Sequence, residues 1–192
     1  GTCWSGVRPM SKFKATLTAA TLALGLGTGV VYNAAEFIGP KEALRTVPYK
    51  DIGGVTTWCY GQTVGTPKAQ YTAQECAEDL LKAVQVYWDG IRQYVPDEAP
   101  ESVKAAMVSV AYNVGVSGWA WEFNSRGPRV PSRFRVALAA HDWEATCYAI
   151  QAPWQGKHWV AQGYKATVQG KPVRGLENRR WAEYRLCMGD VQ

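Results

Sequence analysis

The chain contains, at residues 42–63, the stretch EALRTVPYKDIGGVTTWCYGQT. The pair Gly53-Gly54 is a turn signal, and residues 55–60 are rich in β-branched and aromatic side chains. This combination is typical of a small β-hairpin. A short helix is predicted over 37–46, with Pro40 near its start and Pro48 just beyond its end. We therefore expect Glu42 near the end of a helix and Asp51 at the mouth of the hairpin.

Three side chains of this stretch have the chemistry of a glycosidase site. Asp51 follows Glu42 by nine residues, and Thr57 follows Asp51 by six. Cleavage of a glycosidic bond needs an acid that protonates the leaving oxygen and a second group that handles water or the developing positive charge. Two carboxylates in different surroundings can divide these tasks, because burial keeps one protonated while polar surroundings keep the other ionised. The spacing alone is weak evidence for a glycosidase site. It becomes specific because Asp51 ends the segment PYKD and Thr57 begins the pattern T-x-x-x-G.

Each of the three residues also has a purely structural explanation. Glu42 can be a solvated helix residue, although the intact motif favours the chemical role. Asp51 can open the Gly53-Gly54 turn, which is a common role of aspartate. Thr57 can be an ordinary strand residue. The structural and chemical roles are compatible for Asp51.

Helices are predicted for most of the chain beyond residue 66. Thr72 and Glu75 form a capping-box pattern that opens a helix, and Pro96 ends it. The nearly continuous apolar run over 103–114 predicts a central buried helix. Further helices are predicted over 132–150 and 177–188, separated by a connection over 153–175 that is long for a compact domain.

The order of these elements predicts an α+β fold. We expect a small β-hairpin lobe over 36–66 beside a larger, mainly helical lobe over 67–192. A cleft between two such lobes suits a polymeric substrate. We expect residues 1–9 to be leftover cloning or upstream sequence.

Residues 15–35 carry no charge and follow the cations Arg8, Lys12 and Lys14. A basic flank before an apolar segment of this length is typical of entry into a membrane from the cytoplasm. The segment is rich in Ala, Gly and Thr, so it gains little free energy from lipid. Three interpretations remain open: a weak anchor that later leaves the membrane, a cleaved signal peptide, or an ordinary first helix. The first two place the protein outside the cytoplasm, and we expect inner-membrane tethering followed by release into the periplasm.

The cysteines indicate an oxidising compartment. Cys3 lies ahead of Met10, and the other four cysteines are an even number, as expected for two disulfides. Four cysteines allow three pairings. We favour Cys59–Cys76 and Cys147–Cys187, because each pair joins neighbouring segments.

The composition excludes some partners and favours others. The net charge of +5 suits an anionic partner such as bacterial cell wall. No run of five basic residues and no nucleic-acid-binding signature is present, so we expect no nucleic-acid partner. The two histidines and the cysteines form no zinc-binding spacing, so we expect neither metal nor cofactor. We expect a monomer.

From Met10 to Gly189 the sequence resembles the phage-type lysozymes, in particular the endolysins exported by a releasable signal anchor. Besides the hairpin stretch, the matching segments are YNVG at 112–115, GLENRR at 175–180 and the four cysteines. The resemblance implies hydrolysis of the β-1,4 bond between N-acetylmuramic acid and N-acetylglucosamine in peptidoglycan strands. It also implies that Glu42 is the general acid and that Asp51 and Thr57 position and activate a water, usually with inversion.

The resemblance further implies that Arg179 pairs with Glu42 and holds it in the cleft. The predicted supporting or substrate-binding residues are Tyr49, Gly61, Gln62, Tyr112 and Asn113. Core packing explains Tyr112 and Asn113 equally well.

Two other functions remain open at this stage. A lytic transglycosylase cuts the same bond with essentially one glutamate, and the presence of both Asp51 and Thr57 argues against it. A non-catalytic wall-binding module would also suit a basic chain with nine tryptophans. The sequence does not distinguish host-cell lysis from remodelling of a bacterium's own wall.

Overall fold

The computed structural model describes residues 11–27, 29–51, 53–123, 128–151, 163–169 and 171–189. The chain divides into two compact units: the first takes its described residues from 1–28 and 35–82, and the second from 29–34 and 83–192. Residues 1–9, Cys3 among them, and a large part of the predicted 153–175 connection lie outside the described residues.

The weakly apolar stretch 15–35 is divided between two helices. Helix α1 spans Lys12–Ala23 and is capped by the Ser11 side chain, which accepts a hydrogen bond from the backbone N–H of Lys14 at 3.2 Å. Helix α2 spans Val30–Ile38. Between the two helices Gly25 has a φ of +65°, a conformation that glycine adopts without steric cost. Among the helices of the described residues, none is both long and apolar enough to cross a bilayer.

Helix α1 belongs to the core of the first unit. Its Leu17 and Ala20 are fully buried. The Phe13 ring packs edge-on against Tyr60, with 5.7 Å between ring centroids. The ring also lies directly on Gly39, where an added Cβ would come within 2.0 Å of Phe13 Cζ. A residue with any side chain at position 39 would therefore displace the ring.

The predicted helix over 37–46 was wrong. Helix α2 ends at Ile38, Gly39–Lys41 form a single 3-10 turn, and Glu42 has extended backbone angles (φ −96°, ψ 133°). Glycine is a poor helix former, and proline has no N–H for the helical ladder, so Gly39-Pro40 ends the helix. Glu42 therefore lies between a turn and a strand, outside any helix.

The predicted hairpin is confirmed. Strand β1 spans Arg45–Lys50 and pairs antiparallel with β2, Thr56–Cys59, so that Tyr49 faces Thr57. The register shifts between Arg45 and Tyr49, where Pro48 has no N–H to donate to the ladder.

The predicted capping box is also confirmed. Helix α3 spans Ala73–Ile91. At its start the backbone N–H of Thr72 donates to Glu75 Oε2 at 2.8 Å, and the N–H of Glu75 donates to Thr72 Oγ1 at 3.1 Å. These reciprocal bonds satisfy two backbone donors that the first helical turn leaves without partners.

Helices dominate the second unit. Helix α4, Glu101–Val114, is buried at nine of its fourteen residues and packs against α8, Arg174–Met188. The other helices are α5 Val116–Ala120, α6 Arg133–Ala139 and α7 Trp143–Gln151. Two short antiparallel pairs join β3 Trp121–Phe123 to β4 Arg129–Pro131 and β5 Thr167–Val168 to β6 Lys171–Pro172.

The predicted helix over 132–150 is two helices. His141 has a φ of +55°, which breaks the helical path. Asp142 then caps α7, because its Oδ1 accepts the backbone N–H of Ala145 at 2.8 Å.

Both predicted disulfides are present. Cys59 joins Cys76, and Cys147 joins Cys187. The first pair is 17 residues apart and the second 40. Loops of these lengths gain about 3 to 4 kcal/mol each from cross-linking in the chain-entropy description. The mixture of helices with small antiparallel pairs confirms the α+β class.

Candidate active site

Glu42 is half-buried and lies three residues before Arg45, where the first strand of the hairpin begins. Its backbone N–H donates to Gly39 O at 3.1 Å, which closes the 3-10 turn. The carboxylate is thus carried by a short, backbone-bonded turn. Two features fix this turn: the rigid φ of Pro40 and the Phe13 ring on Gly39.

Asp51 organises the turn of the hairpin. Its Oδ1 accepts the backbone N–H of Val55 at 2.8 Å, and its backbone N–H donates to Val55 O at 2.9 Å. The N–H of Gly54 donates to Asp51 O at 2.9 Å. In the described part of the chain, Oδ2 of this half-buried carboxylate accepts no hydrogen bond. Asp51 therefore holds the turn with one oxygen and keeps the other for a further partner.

Thr57 is buried, with 5% of its surface exposed. Its Oγ1 donates to Val55 O at 3.2 Å, so the hydroxyl proton points along the hairpin backbone. The oxygen keeps its acceptor capacity. Val55 thereby connects both side chains: its N–H binds Asp51, and its carbonyl binds Thr57.

The predicted supporting residues Tyr49, Gly61 and Gln62 belong to the same hairpin region. The Tyr49 ring is 43% exposed and has the Arg45 guanidinium 5.6 Å from its centroid. Gly61 has a φ of +87°, which favours glycine there. The backbone of Gln62 exchanges hydrogen bonds with that of Trp58, at 2.9 and 3.0 Å. The structure thus places three predicted neighbours of Asp51 and Thr57 on one small element.

In the second unit, Asn113 is held by a buried arginine. Arg180 is fully buried, and its Nη2 donates to Asn113 Oδ1. Its Nε donates to Tyr164 O at 2.7 Å, and its Nη1 donates to Glu183 Oε2. An arginine offers only donors, so Asn113 must turn its carbonyl oxygen to Arg180. Its NH₂ group is thereby directed away from Arg180.

Glu183 is the fully buried carboxylate that anchors this arrangement. Besides Arg180, Ser109 Oγ donates to it at 2.7 Å and Arg179 Nε at 3.2 Å. We did not predict this network from the sequence. The i,i+3 and i,i+4 spacing of Arg180 and Arg179 to Glu183 is a usable signal for ion pairs, but it does not show that the pairs are buried. The pairing of Arg179 with Glu42 stays a prediction.

Tyr112 and Tyr164 pack in the second unit. Tyr112 is half-buried and tilts against Tyr87, with 5.0 Å between ring centroids. The Tyr164 hydroxyl donates to Gly118 O at 2.7 Å, and burial raises the pKa of that hydroxyl. Tyr164 therefore stays neutral and donates to Gly118 O. This bond holds Tyr164 in place, and the backbone carbonyl of Tyr164 itself accepts Arg180 Nε.

Within the described ranges, no three His, Cys, Asp or Glu side chains come together as a metal site would require.

Comparison with known proteins gives a consistent result. The model of the family described as phage lysozyme matches residues 40–183. The SAR-endolysin of bacteriophage PS119 is 30% identical over 153 residues, which are 79% of this chain and 78% of that protein. The SAR-endolysin of enterobacteria phage P21 is 28% identical over 180 residues, 89% of this chain and 95% of that protein.

A solved structure, the active form of the P1 phage endolysin Lyz, superimposes with a TM-score of 0.76. It is 26% identical, and the match covers 93% of this chain and 95% of that one. The chain therefore belongs to the phage lysozyme family and is a cell-wall hydrolase of the lysozyme type.

Proposed function

We propose that the chain is a muramidase that hydrolyses the β-1,4 bond between N-acetylmuramic acid and N-acetylglucosamine. Glu42 is the general acid, and Asp51 and Thr57 position the attacking water. The observation that supports this most is the hairpin itself. Asp51 Oδ1 and Thr57 Oγ1 are both fixed by Val55, while Asp51 Oδ2 accepts no hydrogen bond among the described residues.

The proposed reaction uses one acid, Glu42, and one pair that positions water, Asp51 and Thr57. Glu42 gives its proton to the glycosidic oxygen, and the bond from that oxygen to the anomeric carbon breaks. A water that donates to Asp51 Oδ2 and Thr57 Oγ1 attacks the anomeric carbon, and Asp51 takes the proton that the water loses. Direct attack by water inverts the configuration at that carbon. The Glu42 proton leaves on the departing sugar hydroxyl.

Arg179 and Asn113 have supporting roles in this proposal. The resemblance implies that Arg179 pairs with Glu42, and in this proposal the guanidinium orients the Glu42 carboxyl. Asn113 presents its amide NH₂, because Arg180 binds its carbonyl oxygen. An amide donor of this kind suits an acceptor such as the carbonyl of a substrate N-acetyl group.

Substitution of Glu42 by Gln tests the acid. The amide keeps the shape of the side chain and cannot deliver a proton, so lysis of permeabilised Gram-negative cells should cease while binding to the wall remains. Glu98→Gln is the matched control, because it makes the same change at an exposed position and should lyse like wild type. Retention of more than a small fraction of activity by Glu42→Gln would show that another group is the acid.

Product mass separates the muramidase from its rivals. A hydrolase adds one water for each glycosidic bond that it cleaves, whereas a lytic transglycosylase closes an anhydro ring without adding water. A wall-binding module releases no fragment. Mass spectrometry of muropeptides from a purified-wall digest distinguishes all three outcomes.

We also propose that residues 15–35 act as a weak membrane anchor and that the released protein works in the periplasm. The relatives named SAR-endolysins support this, as do the two disulfides, which persist in oxidising compartments. Leu17 and Ala20 are buried in the first unit, and a membrane-inserted segment cannot make the same contacts. Activity should therefore rise on release.

Fractionation of expressing cells tests the anchor. Gly27→Leu with Gly29→Leu should trap full-length protein in the membrane and delay lysis, because leucine gains more from lipid than glycine does. An added Cβ at either glycine would meet no atom within 4 Å, so neither position is sterically closed to a side chain. Gly27→Ser with Gly29→Ser is the control and should be released like wild type. A soluble pool that contains only shortened protein would show cleavage of a signal peptide instead.

A further inference from the structure

The second unit has an open groove of about 610 Å³ that no step of the proposed reaction uses. Its walls are mainly apolar and include Val95, Pro96, Pro131 and Val136. Val136 is 61% exposed, which is a high fraction for an aliphatic side chain on a helix. The volume lies within the range of about 300 to 1,000 Å³ that is typical of small-ligand sites.

One cation lines this groove, and it is held between two aromatic rings. The Arg135 guanidinium lies 4.0 Å from the centroid of Tyr94 and 4.4 Å from that of Trp121. Its Nη1 donates to Ala120 O at 3.5 Å. Stacking on two rings restricts the rotamers of the arginine, so a ligand that binds it causes little further loss of side-chain freedom.

No acid among the described residues is paired with Arg135. Its helix neighbour Arg133 pairs with Glu122 at 2.8 Å. Across the described ranges of the chain, no carboxylate lies within ion-pair distance of Arg135. A guanidinium presents a planar fork of donors that matches a carboxylate. A fixed cation in an apolar groove therefore fits an anionic ligand with small apolar groups.

We propose that this groove binds the stem peptide of peptidoglycan. A peptide carboxylate binds Arg135, and alanine methyl groups pack on Val136 and Pro131. The proposal rests on the proposed function only in taking peptidoglycan as the substrate. That polymer carries short peptides that combine alanine with free carboxylates, which is the chemistry the groove requires.

Direct titration tests the proposal. A soluble stem peptide, freed from glycan, is titrated into the full chain and followed by calorimetry. A hydrogen bond between charged groups corresponds to about a tenfold to hundredfold change in affinity. Arg135→Gln should therefore raise Kd at least about tenfold, and a peptide with amidated carboxylates should show the same loss on the wild-type chain. Arg92→Gln, which removes an equal charge from an exposed arginine paired with Asp89, should bind like wild type.

A second variant covers the case in which Arg135→Gln disturbs the fold. Val136→Glu adds an anion to an exposed position of the groove and should abolish peptide binding without loss of stability. Equal affinity of wild type, Arg135→Gln and Val136→Glu would overturn the proposal, as would an equal loss in Arg92→Gln. Binding to vesicles of anionic phospholipid in place of the peptide would also overturn it and assign the groove to a lipid surface.

The free peptide contains no glycosidic bond, so its binding is independent of the acid catalyst. Glu42→Gln should bind it like wild type. A chain that lyses cells and ignores the peptide would leave the muramidase proposal standing and remove this one.

Discussion

Asp51 and Glu183 are both carboxylates that hold local structure, and they do so in opposite ways. Asp51 is half-buried, and its one bonded oxygen meets a backbone N–H four residues away. Glu183 is fully buried, and both of its oxygens are bonded, one of them to Ser109, which is 74 residues away in sequence. Among the described residues, Asp51 has one carboxylate oxygen that accepts no hydrogen bond, and Glu183 has none.

The difference separates two uses of the same functional group. A buried carboxylate whose partners are arginines stabilises the fold only while every partner is present. A carboxylate that satisfies a turn with one oxygen can exchange water at the other at little cost to stability. Substitution should therefore cost mainly stability at Glu183 and mainly activity at Asp51.

Removal of Glu183 should have the largest effect. Glu183→Ala leaves Arg180 buried without its carboxylate, and loss of one partner of a buried pair costs about 3 to 5 kcal/mol. Urea denaturation with the disulfides intact measures the free energy of unfolding. Glu98→Ala, at an exposed position, should change it by less than about 0.5 kcal/mol. A loss below about 1 kcal/mol at Glu183 would mean that the network contributes no more than a surface pair does.

Asp51→Asn should lower activity and leave the free energy of unfolding nearly unchanged. The amide oxygen of Asn still accepts the N–H of Val55, so stability should change by less than about 0.5 kcal/mol. The lost negative charge should lower the lysis rate about a hundredfold or more, as expected for a group that takes a proton from water. Asp51→Ala also removes the turn bond and should cost about 1 kcal/mol. Near-normal lysis by Asp51→Asn would reduce Asp51 to a turn residue.

The Phe13 contact extends the comparison to an apolar site. Gly39→Ala places a Cβ where the Phe13 ring lies, and forced overpacking costs about 1 to 3 kcal/mol. The double variant with Phe13→Leu frees space and should recover part of the loss, measured by thermal unfolding. Full stability of Gly39→Ala alone would show that α1 docks without a close contact at this position.

The smallest effect is a pH dependence at Glu75. The Lys68 hydrogen bond, followed by the Thr72 backbone N–H, lowers the pKa of Glu75 below its ordinary value of 4.5. A carboxyl with a lowered pKa stabilises the fold above that ordinary value, and the contribution disappears as pH falls through the folded-state pKa. The Tm difference between wild type and Glu75→Gln should therefore be present at neutral pH and vanish in acid. A difference that grows in acid would contradict the capping-box account.

Local signals in the sequence were sufficient for part of this structure. The hairpin, the capping box and both disulfides were predicted, because each depends on residues close in sequence or on a small number of cysteine pairings. The end of α2 at Ile38 was missed, because Pro40 was taken as a helix start when it belongs to a separate turn.

The long-range features could not be predicted in the same way. Arginine and glutamate are usually exposed, so nothing in RRWAE indicates that Arg180 and Glu183 are fully buried. The stacking of Arg135 between Tyr94 and Trp121 joins residues that are 41 and 14 positions apart. Contacts of this kind depend on how helices pack, which spacing along the chain does not determine.

The burial of Leu17 and Ala20 has a practical meaning for anyone who produces this enzyme as an antibacterial. An N-terminal trim that treats residues 12–23 as a disposable export signal would remove two fully buried side chains and the ring that covers Gly39. The shortened product should be poorly soluble and weakly lytic, even with the hairpin of β1 and β2 intact. Purification tags should accordingly be added ahead of Ser11 with a flexible spacer, so that α1 is free to fold back into the first unit.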